Sequence, residues 1–165
     1  MTITINGTGT ITGITAGGLP DAIITQPELA TGVAGTGPAF RAYMSVAQTI
    51  SATTFTKLNF NAESFDTNSN YDTSLYRFTP TVAGYYQITS NTYFSATAQL
   101  YIYKNGVANL TGAYGNFTGH TISGLVYMNG STDYLETYYF GSAGLTTSNN
   151  AETANQFSGA LVRSA

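Results

Sequence analysis

The residue types that this chain lacks exclude much of the chemistry that a protein of its size could perform. Its 165 residues include no cysteine, no tryptophan and one histidine. Without cysteine there can be no disulfide, no thiolate zinc site and no cysteine nucleophile. With His120 as the only imidazole, most metal sites and catalytic triads also lack the side chains they need.

Charged residues are scarce as well, at 8% of the chain, against an average of about 25% in soluble proteins. Hydroxyl and amide groups must therefore provide most of the polar surface. Weak electrostatic repulsion between copies of the chain favours association. The basic residues are scattered along the chain at Arg41, Lys57, Arg77, Lys104 and Arg163. Because no basic cluster is available to bind a phosphate backbone, we expect no nucleic-acid partner.

The first 38 residues differ from the rest of the chain and are predicted to form an N-terminal arm. Residues 1–18 show no basic segment followed by a long apolar one, and no window approaches 18 consecutive apolar residues. We therefore expect neither a signal peptide nor a membrane span. The dipeptide Asn6-Gly7 favours a tight hairpin, but the resulting register scatters the isoleucines over both faces. Such a hairpin is marginal alone, so we predict that partners order it.

From residue 39 to residue 165, short runs of β-branched and aromatic residues alternate with turn clusters, which predicts an all-β antiparallel sandwich or jelly roll. Eight strands are predicted, at residues 40–46, 53–58, 75–80, 84–94, 99–104, 118–128, 133–140 and 156–163. Alternation predicts the inward pairs Tyr76/Phe78, Tyr86/Ile88, Leu100/Ile102, Val126/Met128 and Phe157/Leu161. The other face is expected to carry Tyr85, Tyr93, Tyr101, Tyr103 and Tyr138.

Residues 66–72 place oxygen-bearing side chains at alternate positions, as calcium-binding loops do. However, Tyr71 stands where an EF-hand loop has glycine, and Arg77 stands where it has a bidentate glutamate. A polar turn is therefore the favoured interpretation, and no metal or cofactor is predicted.

The remaining ionisable candidates have equally ordinary interpretations. His120 has no second histidine or carboxylate pair at ligand spacing, which favours a hydrogen-bonded or exposed loop histidine. Asp133 and Glu136 are three residues apart in a predicted strand, so they are expected on opposite faces of the sheet. Acid and base catalysis of the glycosidase type is therefore unsupported, and no catalytic residue is predicted.

Several short blocks resemble, in order and spacing, the globular domain of the C1q family. They are NYD at 70–72, LYRF at 75–78, AGYY at 83–86, LYIYKNG at 100–106 and FSGAL at 157–161. SGLV at 123–126 and DYL at 133–135 add to the resemblance, with Thr132 in place of a family glycine. The resemblance covers about residues 40–162.

Membership of the C1q/tumour-necrosis-factor (TNF) jelly-roll family would imply a ten-stranded jelly roll that forms a three-fold homotrimer with aromatic residues along its axis. The tyrosine-rich face would then be the trimer interface, since such patches seldom face water without purpose. We therefore predict that Tyr85, Tyr93, Tyr101, Tyr103 and Tyr138 lie in that interface.

The arm resembles the N-terminal segments of bacteriophage particle proteins that carry a C-terminal C1q-like knob. The matching blocks are TINGTG at 4–9, LPDA at 19–22 and ATGVAGTGPAF at 30–40. This resemblance implies a non-enzymatic virion structural protein whose partners are its own copies and the capsid or tail proteins of the particle. The arm, residues 1–38, is then predicted to make trimer contacts and to attach to the particle through Ile3, Ile5, Ile11 and Ile14.

Three functions remain open at this stage. An arm of about 38 residues extends at most ~125 Å, which favours a capsid decoration (cement) protein or short head fibre. The alternative is a tail-fibre tip that recognises a host surface glycan or protein through loops 105–120 and 141–152, with tyrosines stacked on sugars. A depolymerase is unsupported, because no nucleophile with a base and no metal centre occurs at recognisable spacing.

Overall fold

The fold was analysed in a computed structural model that describes residues 37–93, 96–147 and 153–165. These residues form an all-β, antiparallel sandwich. The predicted arm lies almost entirely outside the described residues, and with it Ile3, Ile5, Ile11 and Ile14. Their role in attachment therefore stays a prediction. Within the described part of the chain, no helix has the length and apolarity needed to cross a membrane.

Two sheets make up the sandwich, and a short strand pair accompanies them. The five-stranded sheet contains β1 (Ala39–Tyr43), β4 (Ala62–Asp66), β7 (Gly84–Thr92), β11 (His120–Met128) and β14 (Gln156–Ser164). The seven-stranded sheet contains β3 (Thr56–Lys57), β5 (Tyr71–Asp72), β6 (Arg77–Phe78), β8 (Ala96–Lys104), β9 (Val107–Thr111), β10 (Gly115–Phe117) and β12 (Leu135–Gly141). The pair is β2 (Thr49–Ile50) with β13 (Leu145–Thr146).

Strand order makes this sandwich a jelly roll rather than a set of hairpins in sequence. The five-stranded sheet has the order β11-β7-β14-β1-β4, so its neighbours come from distant parts of the chain. The seven-stranded sheet has the path β10-β8-β12-β6-β5, with β9 paired to β8 and β3 paired to β12. Chain connections therefore pass repeatedly from one sheet to the other, as in a Greek-key arrangement.

Two-residue alternation explains which side of each long strand faces the core. In β7, Tyr86, Ile88 and Ser90 are buried, whereas Tyr85 and Gln87, which alternate with them, are exposed. Such alternation is what a strand with one dry face and one wet face requires. The inward pairs predicted for β7, β8 and β11 are confirmed, since all six side chains are buried.

Aromatic rings fill the space between the two sheets. Phe40 of the five-stranded sheet stacks on Phe78 of the seven-stranded sheet, with ring centroids 4.2 Å apart. Phe40 also contacts Tyr71 at 5.3 Å and Phe157 at 5.0 Å, and Phe78 contacts Tyr86 at 5.5 Å. Each such pair stabilises the fold by ~0.5–1.5 kcal/mol beyond the burial of its area.

The prediction that Tyr76 faces the core is wrong, because the strand predicted at 75–80 contains only Arg77–Phe78. The carboxylate of Asp72 accepts hydrogen bonds from the backbone N–H groups of Ser74 (2.8 Å) and Leu75 (2.9 Å), which folds this segment into a turn. Tyr76 ends that turn in the left-handed region, with φ of 54°, and is only half-buried. The strand therefore begins two residues later than predicted.

Several strands at or near sheet edges were not predicted. β4 carries two acidic residues, Glu63 and Asp66, and β9 is mostly exposed. Charged and polar residues suit edge strands, because they discourage further pairing, but they weaken the sequence signal for a strand. The predicted strand 53–58 is likewise reduced to Thr56–Lys57, and strand 118–128 begins at His120.

A tight hairpin joins β8 to β9 through Asn105 and Gly106. Both residues have positive φ, 53° and 79° respectively, which is the backbone of a type I′ turn. Asparagine tolerates this region better than most residues, and glycine does so without steric cost. The Asn105-Gly106 dipeptide, one of the turn clusters in the sequence, therefore sets the register of this hairpin.

We expect the substitution Phe78→Ala to lower the free energy of unfolding by ~3–5 kcal/mol, because it removes the fully buried ring that joins the two sheets. Chemical denaturation followed by circular dichroism measures the change. The matched control is Phe55→Ala, which removes a half-exposed ring and is expected to cost less than half as much. Equal losses for the two variants would contradict this account of the core.

Candidate interaction surfaces

His120 is a core residue rather than a ligand or an exposed loop residue. It is buried at the start of β11, and its Nε2–H donates to the carbonyl of Ala96 at 3.2 Å. Its ring packs against Phe117 and Tyr139. Burial lowers the pKa of His120, although the Ala96 carbonyl partly opposes this shift. Among the described residues, no three His, Cys, Asp or Glu side chains lie close enough together to hold a metal ion.

The loop at residues 66–72 is a polar turn whose carboxylate oxygens are used internally. Asp66 Oδ2 accepts the backbone N–H of Tyr71 at 2.6 Å, and its Oδ1 accepts that of Asn68 at 3.2 Å. Asn70 Oδ1 accepts from the backbone and hydroxyl of Thr81. These oxygens point toward donors of the protein, so the arrangement is that of turn capping rather than of a calcium loop.

Asp133 and Glu136 do not share a strand, which corrects the sequence-based interpretation. β12 begins only at Leu135, and Asp133 lies in the preceding turn. Asp133 Oδ2 pairs with Lys104 Nζ at 2.8 Å, whereas Glu136 Oε1 pairs with Lys57 Nζ at 3.1 Å. Since each carboxylate has its own lysine, the two do not form an acid and base pair.

Cross-strand register arranges the outer face of the five-stranded sheet in four rows. The rows are Tyr127, Tyr85 and Arg163; Leu125, Gln87, Ala160 and Ala39; Ser123, Thr89, Ser158, Arg41 and Phe65; and Thr121, Asn91, Gln156 and Tyr43. The first row lies at the end of the sandwich that carries Gly37 and Ala165, which we call the terminal end. The last row lies at the opposite end, which carries Tyr93 and Gly119 and which we call the loop end.

Large apolar side chains are concentrated toward the terminal end of this outer face. Leu125, Tyr85 and Tyr127 are 57%, 48% and 43% exposed, and Val162 is exposed at the same end, whereas the exposed Phe65 lies on β4 at the opposite edge of the sheet. The rows nearer the loop end carry mainly hydroxyl and amide groups. β7 and β11 contain no Asp, Glu, Lys or Arg, so the charges at this apolar patch lie on its borders, where Arg163 is paired opposite Tyr85 and Lys104 Nζ lies 5.6 Å from the centre of the Tyr127 ring.

The outer face of the seven-stranded sheet carries a different kind of aromatic group. Tyr103 stacks on Tyr138 at 4.2 Å, and Phe55 packs on Tyr101 at 5.2 Å and on Phe140 at 4.7 Å. These rings cover one another, and all but Phe55 are at least half-buried. Burial raises the pKa of Tyr101 and of Tyr138, so both phenols stay protonated at neutral pH.

The five tyrosines predicted for the trimer interface do not lie on one face. Tyr85 lies on the outer face of the five-stranded sheet, and Tyr93 follows the end of β7. Tyr101, Tyr103 and Tyr138 lie on the outer face of the seven-stranded sheet, on the other side of the sandwich. The expectation of one tyrosine-bearing side was therefore wrong, although membership of an interface remains a prediction for each residue.

Leu125 and Tyr127 complete the apolar patch but were not singled out in the sequence. Leu125 and Tyr127 belong to the outward set of a strand whose inward set, Val126 and Met128, was predicted. The signal that could have found them is the presence of large apolar residues at both parities of β11, which an ordinary half-exposed strand does not show.

Comparison with known proteins identifies the fold. No protein-family model matches the chain, and no curated protein matches it. Among solved structures, it is similar to the globular domain of zebrafish complement 1qA protein, with a TM-score of 0.52 and 16% identity, covering 78% of this chain and 99% of that chain. It is also similar to murine APRIL, with a TM-score of 0.56 and 8% identity, covering 76% and 98% of the two chains.

At these identities the likeness concerns the fold. The described residues form a C1q/TNF-like jelly roll, and the predicted fold class is confirmed.

The network around Asp133 generates a prediction about acid stability. The hydrogen bond from Lys104, assisted by those from Asn105 and Asn129, lowers the pKa of Asp133 despite burial. Because its folded-state pKa is depressed, its contribution is fully present above the unfolded-state carboxyl value of ~3.9 and disappears as pH falls through the folded-state value. Asp133→Asn should therefore reduce stability at pH ~7 more than at pH ~2.

Urea denaturation at the two pH values measures this difference. Asp72→Asn is the matched control, because Asp72 also has a lowered pKa but, at the end of β5, has no ion pair within hydrogen-bond distance. We expect it to lose less stability at neutral pH than Asp133→Asn. An Asp133→Asn loss that is the same at both pH values would contradict the assigned role of the carboxylate.

Proposed function

We propose that this protein is a non-enzymatic structural component of a bacteriophage particle surface, a capsid decoration protein or short head fibre whose jelly-roll domain works as a homotrimer. The observation that carries the proposal is the exposed apolar patch formed by Leu125, Tyr85 and Tyr127 on the outer face of the five-stranded sheet. A patch of this kind is typical of a surface that another protein covers.

The patch has the shape expected of a contact between copies. Beside the exposed side chains lies a groove of about 260 Å³, whose floor is formed by Ser158, Gly159 and Ala160 and whose edge is formed by Phe65. Small residues on the floor allow a large side chain from another copy to approach the backbone closely. If another copy covers Leu125 and its neighbours, the contact gains ~25 cal/mol for each Å² of apolar surface removed from water.

A ring of three copies requires a contact that joins two different surfaces of each subunit and closes after three steps. The two outer faces of a sandwich point in opposite directions, so a contact between them would extend into an open stack. We therefore infer that the ring joins the apolar patch of one subunit to an edge of the next. This geometry favours Tyr85, rather than Tyr101, Tyr103 and Tyr138, as an interface residue.

Three features support a place on a particle. The scarcity of charge suits a protein that lives within an assembly, and the arm resembles those of bacteriophage particle proteins. The first and last described residues lie at the same end of the sandwich: Leu161 N–H donates to Pro38 O at 2.9 Å, and Ala165 N–H donates to Ala83 O at 3.1 Å. An arm that fastens to the particle would thus leave from the terminal end and present the loop end outward.

Sedimentation should give a mass of about three times 17.4 kDa for the intact chain. Leu125→Glu should shift this mass toward that of the monomer, because it places a charge in an interface that excludes water. Phe55→Glu is the matched control, since Phe55 is half-exposed on the outer face of the seven-stranded sheet, which the proposed ring leaves uncovered, and it should leave the trimer intact. A wild-type monomer at micromolar concentration would contradict the proposal.

Deletion of residues 1–18 should leave the jelly-roll domain folded and trimeric but abolish its incorporation into particles. Quadruple substitution of Ile3, Ile5, Ile11 and Ile14 by serine should have the same effect if these side chains make the attachment. Particle incorporation is measured by purifying phage produced in the presence of a tagged copy. Normal incorporation of both variants would exclude the proposed role of the arm.

A further inference from the structure

A polar cleft opens at the loop end of the five-stranded sheet. Its volume is about 470 Å³, within the range of ~300–1,000 Å³ that is typical of small-ligand sites. The residues that line the cleft include Asn91, Tyr93, Gly119, Thr121, Thr153 and Ala154. The cleft is separate from the apolar patch, because it borders the polar row of the same face.

The hydrogen-bonding groups of the cleft are fixed in place but keep free capacity. The Asn91 amide donates to the carbonyl of Ala154 at 2.9 Å, which sets its orientation. Its second N–H and its Oδ1 make no further hydrogen bond within residues 37–93, 96–147 and 153–165. Thr121 lies directly opposite Asn91 in the register of β7 and β11, so a hydroxyl and an amide are presented side by side.

Tyr93 supplies an aromatic wall beside these groups. Its backbone N–H donates to Asn155 Oδ1 at 2.9 Å, which anchors the residue just after β7 although its side chain is 58% exposed. Gly119 lies next to the ring, since a Cβ at that position would stand 4.0 Å from Tyr93 Cδ2. A flat ring therefore stands at the side of the cleft, beyond the apolar patch that the proposed trimer covers.

We infer that this cleft binds a neutral saccharide, with one pyranose ring stacked on Tyr93 and its hydroxyl groups bonded to Asn91 and Thr121. A sugar ring has an apolar face and a polar rim, which match an aromatic wall beside an amide and hydroxyl groups. None of the six residues is charged, so an ionic ligand would lose hydration without gaining a partner charge. A purely apolar ligand would leave the amide and hydroxyl groups unpaired.

This inference goes beyond the proposed structural role, which needs no ligand. It places the binding site away from Gly37, where a protein fastened by its arm would expose it. It also differs from recognition by loops 105–120 and 141–152 alone, because Asn91 and Thr121 lie on the framework strands β7 and β11.

The test is a titration of the full chain with maltose, lactose, cellobiose and chitobiose, and with sialyllactose as a charged probe, followed by saturation-transfer NMR and calorimetry. At least one neutral disaccharide should bind. Tyr93→Ala should then weaken its affinity about tenfold, and Thr121→Val, which removes a hydroxyl at nearly constant volume, about fivefold. Tyr93→Phe should retain most of the affinity, because it keeps the ring.

Tyr114→Ala is the matched control, since it removes an exposed tyrosine that does not line the cleft and should leave binding unchanged. Melting temperature and sedimentation of every variant show whether fold and oligomeric state are intact, which separates failure of this site from failure of the trimer. The inference is overturned if no neutral sugar binds at ~10 mM, if sialyllactose binds more tightly than its neutral counterpart, or if a folded Tyr93→Ala variant binds as well as the native chain.

Discussion

The contact between the rings of Phe40 and Phe78 is where the two sheets of this sandwich meet, and most of the remaining structure follows from it. Neither sheet can keep its apolar side out of water unless the other covers it. β6 is only two residues long, yet it carries the ring on which Phe40 stacks and which Tyr86 contacts from β7. The short strand therefore has an importance that its length does not suggest.

The inner faces of the sheets form this core, and the two outer faces differ in the exposure of their aromatic residues. On the seven-stranded sheet, Tyr103 and Tyr138 cover each other, and the Lys57–Glu136 ion pair lies alongside them. On the five-stranded sheet, Tyr85 and Tyr127 pack together at 5.4 Å but remain largely open to solvent. Residues of the same type are thus covered by one another on one side of the molecule and exposed to solvent on the other side.

The sequence predicted the fold class and the inward residues of the long strands because period-two alternation is a local property that a regular strand expresses directly. Alternation failed at Tyr76, where the Asp72 carboxylate captures backbone N–H groups and imposes a turn. It also missed β4, whose acidic residues weaken the signal for a strand, and β9, whose residues are mostly exposed and do not alternate between buried and exposed.

Alternation was also not enough to predict which residues share an outer face of the sandwich. Alternation distinguishes inside from outside, but it does not say to which sheet a strand belongs. Tyr85 and Tyr101 were therefore assigned to one face, although they lie on opposite sides of the sandwich. The saccharide cleft could not be predicted for a related reason: Asn91 and Thr121 are 30 positions apart in the chain and become neighbours only through the pairing of β7 with β11. Long-range strand pairing of this kind cannot be recognised from the sequence of either strand alone.

The antiparallel pairing of β1 with β14 brings the beginning and the end of the described chain to the same side of the molecule. A short linker between Ala165 and Gly37 would therefore join them with little change to either strand, and circular permutants opened in an exposed loop are compatible with the architecture. By the same geometry, cargo genetically fused after Ala165 would emerge beside the entry of the polypeptide into the sandwich, leaving the opposite tip unobstructed.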